Sequence, residues 1–381
     1  MTADIMIPLA VMAGGIWCVL GLYWLWISGR IPRLPTSPPM PDAWPSVSLV
    51  ITACDEEDTI ERAFRSLLQL DYPRLEIIAV NDRSTDTTGA ILERLAVDAP
   101  HVRVVHIETL PEGWLGKVHA MHSGAEASTG QWILFADADV IFSPDIIRRA
   151  VAHAESQNLD HFSLIPKMEP APLLLDATVT GFVQLLVHKV YGFRAMPFGT
   201  GAFNMARRQC LEASEGLAWL KMEIADDSGL AWLITEAGGR SAAATALEGL
   251  RLRWYPTLSS MFRGLEKNAA IVVSQGRPYR VYLAWFAGMA FLHGPWLAAL
   301  FWTEVWPIVG AGYGLLLLAT SRLKRRMQTP VWRAALAPIG LSLVLTAGLW
   351  SMVQIRRNDG ISWRGTRYGW EELVAGQRVK V

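Results

Sequence analysis

The sequence predicts an α/β protein with a mostly parallel, doubly wound sheet and with membrane-spanning helices at both ends. Strand-like apolar runs alternate with helical segments across short connections from residue 46 onward, a pattern typical of such a sheet. An uncharged stretch precedes this region, and three long apolar runs follow it. Apolar residues make up 51% of the chain and tryptophans number 17, which is more than a soluble protein usually carries.

The composition also narrows the class of protein. The 381 residues have a formal net charge of zero, which gives no reason to expect a nucleic-acid partner. The three cysteines are far apart in the chain, so neither a paired metal site nor a disulfide framework is predicted. No internal repeat and no low-complexity tract is visible.

The N-terminal segment, residues 1–29, is predicted to be a retained membrane anchor. Ile5–Ser28 carries no charge and is long enough to span a hydrocarbon core of about 30 Å. A cleaved signal peptide is the alternative, but Asp4 is the only early charge and a basic n-region is missing. Arg30 and Arg33 follow the segment and place its C-terminal end in the cytoplasm.

A proline-rich stretch, residues 30–45, is predicted to be a stiff linker to an α/β domain that spans residues 46–275. The predicted strands of this domain are Ser46–Thr52, Leu75–Val80, Val102–Ile107 and Trp132–Ala136. The predicted helices contain Ile60–Leu68, Ile91–Leu95 and Lys117–Ser128. The first helix spaces its apolar residues so that they make one buried face.

Two aspartates, Asp137 and Asp139, follow the strand Trp132–Ala136, which is apolar enough to be buried on both faces. Ligands bind at the carboxyl ends of strands in parallel α/β sheets. Two carboxylates there are costly to desolvate unless positive charge lies between them, and a hard divalent cation that carries a diphosphate would supply it. The alternative is a loop with two solvated aspartates.

Further acids follow the first two strands, so that acidic side chains gather on one edge of the predicted sheet. Ala53, Asp55 and Glu56 lie at the end of the first strand. Asp82 follows the second strand and could accept hydrogen bonds from a nucleobase or a ribose hydroxyl. Its alternative role is an Asx-turn or a helix N-cap, for which Asp86 competes.

Four motifs together resemble the family-2 glycosyltransferases of the GT-A fold over about residues 46–270. The motifs are Thr52-Ala-Cys-Asp-Glu-Glu57, Val80-Asn-Asp-Arg-Ser-Thr-Asp86, Pro111-Glu-Gly-Trp-Leu-Gly-Lys117 and Asp137-Ala-Asp139. The resemblance implies that Asp137 and Asp139 bind Mg²⁺ or Mn²⁺ together with the diphosphate of a nucleotide-sugar donor. It also implies that Asp82 reads uracil and that Ala53, Asp55 and Glu56 line the donor site.

The loop Pro111–Lys117 narrows the resemblance to a subgroup. Gly113 and Gly116 permit a tight backbone, and Lys117 can reach a phosphate as a point charge. A surface loop with a solvated lysine is the alternative. The loop is similar to that of membrane glycosyltransferases acting on lipids, including hopanoid-associated, carotenoid-modifying and ceramide glycosyltransferases, which implies a lipid acceptor.

The second half of the α/β domain is expected to hold the acceptor site. The small-residue turn Phe198–Asn204 contains Gly201 and suits close backbone approach to a sugar. Met222–Ser228 contains Asp226 and Asp227, where the resemblance places the catalytic base. An inverting transfer needs a carboxylate within hydrogen-bond reach of the acceptor hydroxyl. Both aspartates could instead cap the following helix, and we favour Asp227 narrowly over Asp226 as the base.

A positive pair, Arg263 and Lys267, lies at helical i and i+4 positions and therefore on one face. The pair could cover the leaving diphosphate of the donor, or it could face anionic lipid headgroups. Processive relatives carry a Q-x-x-R-W motif near this position. Because this chain lacks that arrangement, a polymerase is the less favoured function.

Residues 276–381 are predicted to form C-terminal membrane segments and a tail. The apolar runs are Val281–Thr303, Val305–Thr320 and Val331–Ile355. The basic loop Arg322–Arg326 should be cytoplasmic, which makes the first two runs a hairpin. A third crossing would put later arginines outside, so the third run is either re-entrant or an exception to the positive-inside rule. The aromatic and basic tail Ile361–Tyr368 resembles an interface anchor, although similar tails lie near the active sites of related transferases.

The expected protein is therefore a metal-dependent inverting glycosyltransferase of the inner (cytoplasmic) membrane, with its catalytic domain in the cytoplasm. It would move a sugar, expected to come from a UDP-sugar, to a hydroxyl of a membrane lipid, and no protein partner is inferred. The alternatives are a polysaccharide synthase and a catalytically inactive membrane scaffold that binds nucleotide-sugars.

Overall fold

The computed structural model describes residues 2–192, 196–266 and 269–379. The chain forms two compact units that are discontinuous in sequence. The α/β unit contains residues 32–169, 197–254 and 362–381. The helical unit contains residues 1–31, 170–196 and 255–361. The four contiguous domains expected from the sequence stay a prediction.

The helices are α1 (Thr2–Ser28), α2 (Ile60–Leu67), α3 (Thr88–Ala96), α4 (Gly116–Glu126), α5 (Ile146–Ser156), α6 (Leu173–Tyr191), α7 (Arg208–Ala213), α8 (Asp226–Glu236), α9 (Leu258–Leu265), α10 (Ala269–Ser274), α11 (Tyr279–Phe301), α12 (Trp306–Arg326), α13 (Ala337–Asn358) and α14 (Trp370–Gly376). The strands are β1 (Val47–Ala53), β2 (Leu75–Asp82), β3 (Val102–Ile107), β4 (Trp132–Asp137), β5 (Ile141–Phe142), β6 (His161–Ile165), β7 (Lys167–Met168), β8 (Asn204–Arg207), β9 (Ser241–Thr245), β10 (Leu250–Leu252), β11 (Gly360–Trp363) and β12 (Thr366–Gly369). Short 3₁₀ helices cover Leu217–Leu220, Thr303–Val305 and Val331–Leu336.

The central sheet of the α/β unit has seven strands in the order β3-β2-β1-β4-β8-β6-β9. The pairs β1–β2, β1–β4, β2–β3 and β6–β9 are parallel, and only β8 runs antiparallel to its neighbours β4 and β6. The mostly parallel sheet predicted from the sequence is therefore confirmed. A smaller three-stranded sheet, β5-β10-β7, accompanies it.

The core of this unit follows from the apolar periodicity of its elements. Strand β1 is buried along nearly its whole length, as expected for a strand covered on both faces. Helix α2 buries the predicted stripe that includes Ile60, Phe64 and Leu67. Phe64 is fully buried against the sheet cluster, and burial of a side chain of this size contributes about 1.5–3 kcal/mol. This core holds the strand ends in fixed positions.

The helical unit contains most of the apolar chain. Five helical segments of the described chain are long and apolar enough to cross a membrane: Ile7–Ser28, Leu173–Tyr191, Tyr279–Phe301, Thr303–Arg326 and Val331–Asn358. Four of them are the apolar runs predicted from the sequence. The remaining one is α6, which the sequence placed inside the α/β domain and which the structure places in the helical unit.

Helices α1 and α12 pack side by side through small residues. A Cβ on Gly21 would lie 2.6 Å from the Cβ of Leu315, and one on Gly312 would lie 2.7 Å from the Cβ of Trp17. Among lipid-facing helices the hydrophobic effect does not drive association, so packing depends on small residues that let the helix backbones approach closely. These glycines therefore fix the contact between the two helices.

Helices α6 and α12 are joined by buried polar contacts. The Lys324 ammonium lies 2.8 Å from the Asp176 carboxylate, and Lys324 is 2% exposed. Gln184 donates from Nε2 to the hydroxyl of Thr320. A charge this deeply buried needs a partner, so the ion pair fixes the register of α6 against α12.

The C-terminal tail folds into the α/β unit. Strands β11 and β12 form a hairpin whose two turn residues, Arg364 and Gly365, have φ values of 47° and 75°, as a type I′ turn requires. Tyr368 is buried. Buried Glu223 accepts hydrogen bonds from the backbone N–H groups of Arg378 and Val379. The tail is thus an integral part of this unit, and the interface anchor expected at residues 361–368 stays a prediction.

Candidate active site

The register of the sheet aligns the ends of three neighbouring strands. Ala53 of β1 pairs with Asn81 of β2, and Thr52 pairs with Asp137 of β4. Asp82 and Asp137 therefore leave the sheet at nearly the same level, on the two strands that flank β1. Neighbouring strands are about 4.8 Å apart, so these two strand ends are separated by roughly 10 Å. This is a suitable span for an extended, nucleotide-sized ligand.

Lys117 lies at the centre of an acidic cluster at this edge. It occupies the first turn of α4, directly after the loop that contains Gly113 and Gly116. Its Nζ lies 3.1 Å from Asp137 Oδ1, 2.9 Å from Asp226 Oδ2 and 3.1 Å from Asp227 Oδ1. Burial opposes the charged form, but the three carboxylates outweigh it and hold the pKa of Lys117 well above its usual value. The ammonium therefore joins the end of β4 to the start of α8.

The two candidate bases differ in exposure. The side chain of Asp226 is 7% exposed and that of Asp227 is 35% exposed, so Asp227 is the more open to an acceptor. Burial and the neighbouring Asp226 charge raise the pKa of Asp227 to about 6. Both aspartates lie in the first turn of α8, whose N-cap is Ala225. The alternative role as the N-cap residue is therefore wrong for both.

A chain of polar contacts fixes the backbone of Asp227. Asn204 donates from Nδ2 to the Asp227 carbonyl at 2.9 Å, and its Oδ1 lies 2.6 Å from His161 Nε2. A Cβ on Gly199 would lie 2.0 Å from the same carbonyl. The turn Phe198–Asn204 thus holds the backbone of the candidate base Asp227 in position.

Asp137 is packed against Gly201. The Asp137 N–H donates to the Gly201 carbonyl at 2.7 Å, and a Cβ on Gly201 would lie 2.2 Å from Asp137 Oδ2. Any side chain here would displace the carboxylate, so only glycine fits. Gly201 therefore positions Asp137.

Asp137 and Asp139 form the candidate metal site. Burial, the charge of Asp137 and the charge of Glu56 together raise the pKa of Asp139 to about 7. A divalent ion beside this carboxyl group would favour its ionised form. No cluster of three or more metal-ligating side chains occurs in the described ranges. The protein would thus supply two carboxylates, which fits Mg²⁺ or Mn²⁺ completed by phosphate and water oxygens.

Asp82 differs from the expectation of an open base-reading carboxylate. It is 4% exposed, and Arg83 holds both of its oxygens, at 2.7 Å and 3.1 Å. The N-cap of α3 is Thr87, and Asp86 accepts from the N–H of Thr88 as in an Asx-turn. Both oxygens of Asp82 thus have a partner within the protein, and its expected role in reading the nucleobase stays a prediction.

The loop after β1 is tied to the loop after β2. Ala53 is the buried last residue of β1. Asp55 has a φ of 51° and accepts from the N–H of Thr85 at 2.7 Å. Glu56 forms an ion pair with Arg364 of the tail. The structure thus brings Ala53, Asp55 and Glu56 to the predicted edge, with both acids already partnered within the protein.

Four residues of this edge were not predicted from the sequence as site residues. Arg83 holds Asp82, and its Nη1 donates to the hydroxyl of Thr366 at 3.2 Å. The Gly116 N–H donates to the Tyr368 hydroxyl at 3.2 Å. Arg364 contacts Glu56 and the carbonyl of Asp55. The sequence feature that could have indicated these residues is the Arg364-Gly365 turn between two short strands that contain aromatic residues.

Arg263, the first residue of the predicted positive pair, lies in the helical unit. Arg263 is exposed on α9, and Lys267 lies outside the described residues. The role expected of this pair stays a prediction.

The fold and this edge define a class, an α/β protein of the GT-A type with a mostly parallel sheet and acids at the strand ends. Residues 48–227 match the family model of glycosyl transferase family 2. The expected family-2 glycosyltransferase of the GT-A type is thereby confirmed.

Two curated relatives match part of the chain. A β-monoglucosyldiacylglycerol synthase of Synechocystis is 31% identical over 39% of this chain and 36% of its own length. The succinoglycan biosynthesis protein ExoO of Rhizobium meliloti is 33% identical over 34% of this chain and 37% of its own length. The chain thus spans little more than a third of each of these relatives.

One solved structure resembles nearly the whole chain. It is the mannosyltransferase PcManGT from Pyrobaculum calidifontis, in complex with GDP-Man and Mn²⁺. The likeness covers 91% of this chain and 99% of that chain at 19% identity, with a TM-score of 0.56. At this identity the likeness shows a shared fold.

Proposed function

We propose that this protein transfers a sugar from a nucleotide-sugar donor to a hydroxyl of a membrane lipid, with inversion at the anomeric carbon. The observation that carries the proposal is the cluster in which Lys117 lies within 3.1 Å of Asp137, Asp226 and Asp227. The cluster supports the proposal because it joins a fixed ammonium to three carboxylates at the carboxyl ends of the strands, where ligands bind in parallel α/β sheets.

The donor would lie across the ends of β2, β1 and β4, with its base toward Arg83 and Asp82. Asp137 and Asp139 would hold Mg²⁺ or Mn²⁺, which would neutralise charge on the diphosphate. The fixed Lys117 ammonium would stabilise the negative charge that grows as the diphosphate leaves. Preorganised charge of this kind is usually the largest contribution to catalysis.

Asp227 is proposed as the general base that takes the proton of the acceptor hydroxyl as the new C–O bond forms. It is the more exposed of the two aspartates, and a base with a pKa near 6 is ionised at neutral pH yet basic enough to accept a proton. Asp226, nearly buried beside it, would raise that pKa and help hold Lys117.

A lipid acceptor is supported by two observations. One relative is named as a synthase of a glucosylated diacylglycerol. In addition, five helical segments in the part of the chain that the structure describes are apolar and long enough to cross a bilayer. We propose that the α/β unit faces the cytoplasm, where nucleotide-sugars are made, because basic residues such as Arg30 and Arg325 follow α1 and end α12.

A second candidate function is synthesis of a polysaccharide, since the other relative is named as a succinoglycan biosynthesis protein. One experiment separates the two functions. Purified protein in detergent with added membrane lipid would be incubated with labelled UDP-glucose, UDP-galactose, UDP-N-acetylglucosamine or GDP-mannose, in Mn²⁺ or in EDTA. Label in an extractable lipid identified by mass spectrometry supports the proposal, and label only in insoluble polymer supports the second function.

Matched variants test the roles of the residues in the same assay. Asp227→Asn should abolish transfer, and Asp137→Asn should abolish both transfer and donor hydrolysis. Glu212→Gln, an exposed acid of the same unit, is the control and should keep full activity. Full activity of Asp137→Asn, or transfer at an unchanged rate in EDTA, would contradict the proposed metal site, and a scaffold would show no transfer with any donor.

A further inference from the structure

The turn of the C-terminal hairpin holds Arg364 in a defined backbone conformation. Arg364 and Gly365 form the two-residue turn between β11 and β12, and Arg364 has a φ of 47°. Asparagine and glycine are the usual residues at such positions, because a positive φ is strained for most other residues. An arginine at this position therefore indicates a function for its side chain.

Three residues with left-handed backbone meet at this point. Asp55 and Arg83 have φ values of 51° and 56°, and both follow strands that end at the candidate active site. Arg364 contacts the Asp55 carbonyl and Glu56, and Thr366 of the same hairpin accepts from Arg83. Uncommon backbone conformations concentrate where surrounding contacts enforce a functional geometry.

Arg364 is the most open of three cations at this edge. Lys117 has a side chain 21% exposed and is surrounded by three carboxylates, while Arg83 is 19% exposed and bound to Asp82 through two nitrogens. The Arg364 side chain is 40% exposed. A guanidinium binds phosphate through paired N–H groups, so an open arginine is suited to take an entering anion.

The position of Arg364 would bring it close to the diphosphate of a bound donor. Its partner Glu56 follows β1, the strand between the Asp82 strand and the Asp137 strand. Glu56 is also close enough to Asp139 for its charge to act on that carboxyl group. A donor that extended from Asp82 to the aspartate pair would pass over the end of β1 with its phosphates close to Arg364.

We infer that Arg364 is a donor-binding residue that contacts the diphosphate of the nucleotide, and that the C-terminal hairpin completes the donor site. The inference rests on the proposed function. On donor entry, Arg364 exchanges part of its contact with Glu56 for phosphate oxygens. Glu56 keeps a hydrogen bond from the hydroxyl of Thr59, so it is not left without a partner.

The experiment compares nucleotide binding by full-length wild type, Arg364→Gln and Arg364→Lys in Mn²⁺, by calorimetry. Whichever of UDP and GDP binds the wild type serves as the probe, and the matching nucleoside, which lacks phosphates, serves as the reference ligand. Arg65→Gln is the matched control, since Arg65 also pairs with an exposed glutamate, but on α2. The thermal midpoint of each variant reports on folding.

We expect Arg364→Gln to weaken nucleoside diphosphate binding about ten- to hundredfold, the usual range for a hydrogen-bonded charge, with nucleoside binding unchanged. Arg364→Lys should fall between this variant and the wild type, and Arg65→Gln should match the wild type. Equal diphosphate binding by Arg364→Gln and wild type would overturn the inference while leaving the proposed function intact. Equal losses of diphosphate and nucleoside binding, with a lower thermal midpoint, would also overturn it, because they indicate a structural role. A wild type that neither binds a nucleoside diphosphate nor transfers sugar would overturn the proposed function itself.

Discussion

Lys117 Nζ and Asp227 Oδ1 lie 3.1 Å apart, although their residues are 110 positions apart in the chain. The contact joins the first turn of α4 to the first turn of α8. It therefore links the candidate phosphate-stabilising cation to the candidate base. Replacing either residue should therefore change the pKa of the other.

Replacing Lys117 with methionine removes the cation from three carboxylates. We expect kcat to fall at least a hundredfold and the thermal midpoint to fall by an amount equivalent to about 2 kcal/mol. Removing one partner of a buried ion pair costs about 3–5 kcal/mol, and the partial exposure of this cluster reduces that cost. Lys221→Met, an exposed lysine over the Trp114 ring, is the control and should be near wild type in both measurements. Wild-type turnover of Lys117→Met would exclude Lys117 from the chemistry.

The pH dependence of kcat should report Asp227. Burial and the Asp226 charge raise the pKa of Asp227 to about 6, and a general base works only when ionised. Activity should therefore be full above about pH 7 and fall tenfold per pH unit well below pH 6. Asp226→Asn removes a like charge, so the pKa of Asp227 should fall and the acidic limb should move to lower pH. A limb that stays in place in Asp226→Asn would argue against Asp227 as the titrating base.

Gly201→Ala tests the packing of the candidate metal site. The new Cβ would lie 2.2 Å from Asp137 Oδ2, so the carboxylate must move. We expect the concentration of Mn²⁺ that gives half-maximal activity to rise at least tenfold, with a modest loss of thermal stability. Gly369→Ala is the control in the same unit, because its Cβ would meet the nearest atom at an ordinary 3.6 Å. An unchanged Mn²⁺ requirement in Gly201→Ala would mean that Asp137 does not hold the metal.

Sequence periodicity was enough to predict β1 to β4 and therefore the edge where Asp82 and Asp137 lie. Parallel strands separated by helices place their carboxyl ends together, so acids that follow successive strands meet without knowledge of side-chain contacts. The cluster around Lys117 could be expected only from the resemblance to family-2 glycosyltransferases. No local pattern states that residues of α4 and α8 come within 3.1 Å of one another.

Two features could not be predicted, for different physical reasons. Helix α6 carries Asp176 and Gln184, which interrupt its apolar pattern, and their partners Lys324 and Thr320 lie on α12, far along the chain. The capture of Asp82 by Arg83 depends on a backbone φ of 56° that the residue type does not favour. Both features depend on tertiary contacts, which periodicity does not encode.

Glu223→Gln tests whether the tail is held in place by this buried carboxylate. One Glu223 oxygen accepts from the N–H groups of Arg378 and Val379, and the other accepts from the N–H of Ala225. An amide in its place must turn an NH₂ group toward one of these donors. We expect faster hydrogen exchange in residues 360–379, measured by mass spectrometry, while the exchange of β1 is unchanged. Equal exchange in wild type and variant would show that the tail is held without Glu223.

Helix α13 should begin and end on the same side of the membrane. The prediction assumes that the α/β unit lies on one side of the membrane and that α11 and α12 form the membrane hairpin expected from the sequence. The segment 255–361 is flanked on both sides by residues of the α/β unit, so these two crossings would leave none for α13. Within the helical unit, Arg333, just before α13, donates to the carbonyl of Ala171 near the start of α6, and Ser351, near the end of α13, donates to the carbonyl of Glu266.

Single cysteines test this topology in a variant without the three native ones. At Thr329 and Asn358, which flank the 3₁₀ segment and α13, they should react with a membrane-impermeant maleimide in inverted vesicles and be protected in intact spheroplasts. A cysteine at Thr303, between α11 and α12, should show the opposite pattern. A re-entrant α13 also removes the conflict with the positive-inside rule, because Arg356 and Arg364 then stay in the cytoplasm. Labelling of positions 329 and 358 from opposite sides would mean that α13 crosses the membrane and that α11 or α12 does not.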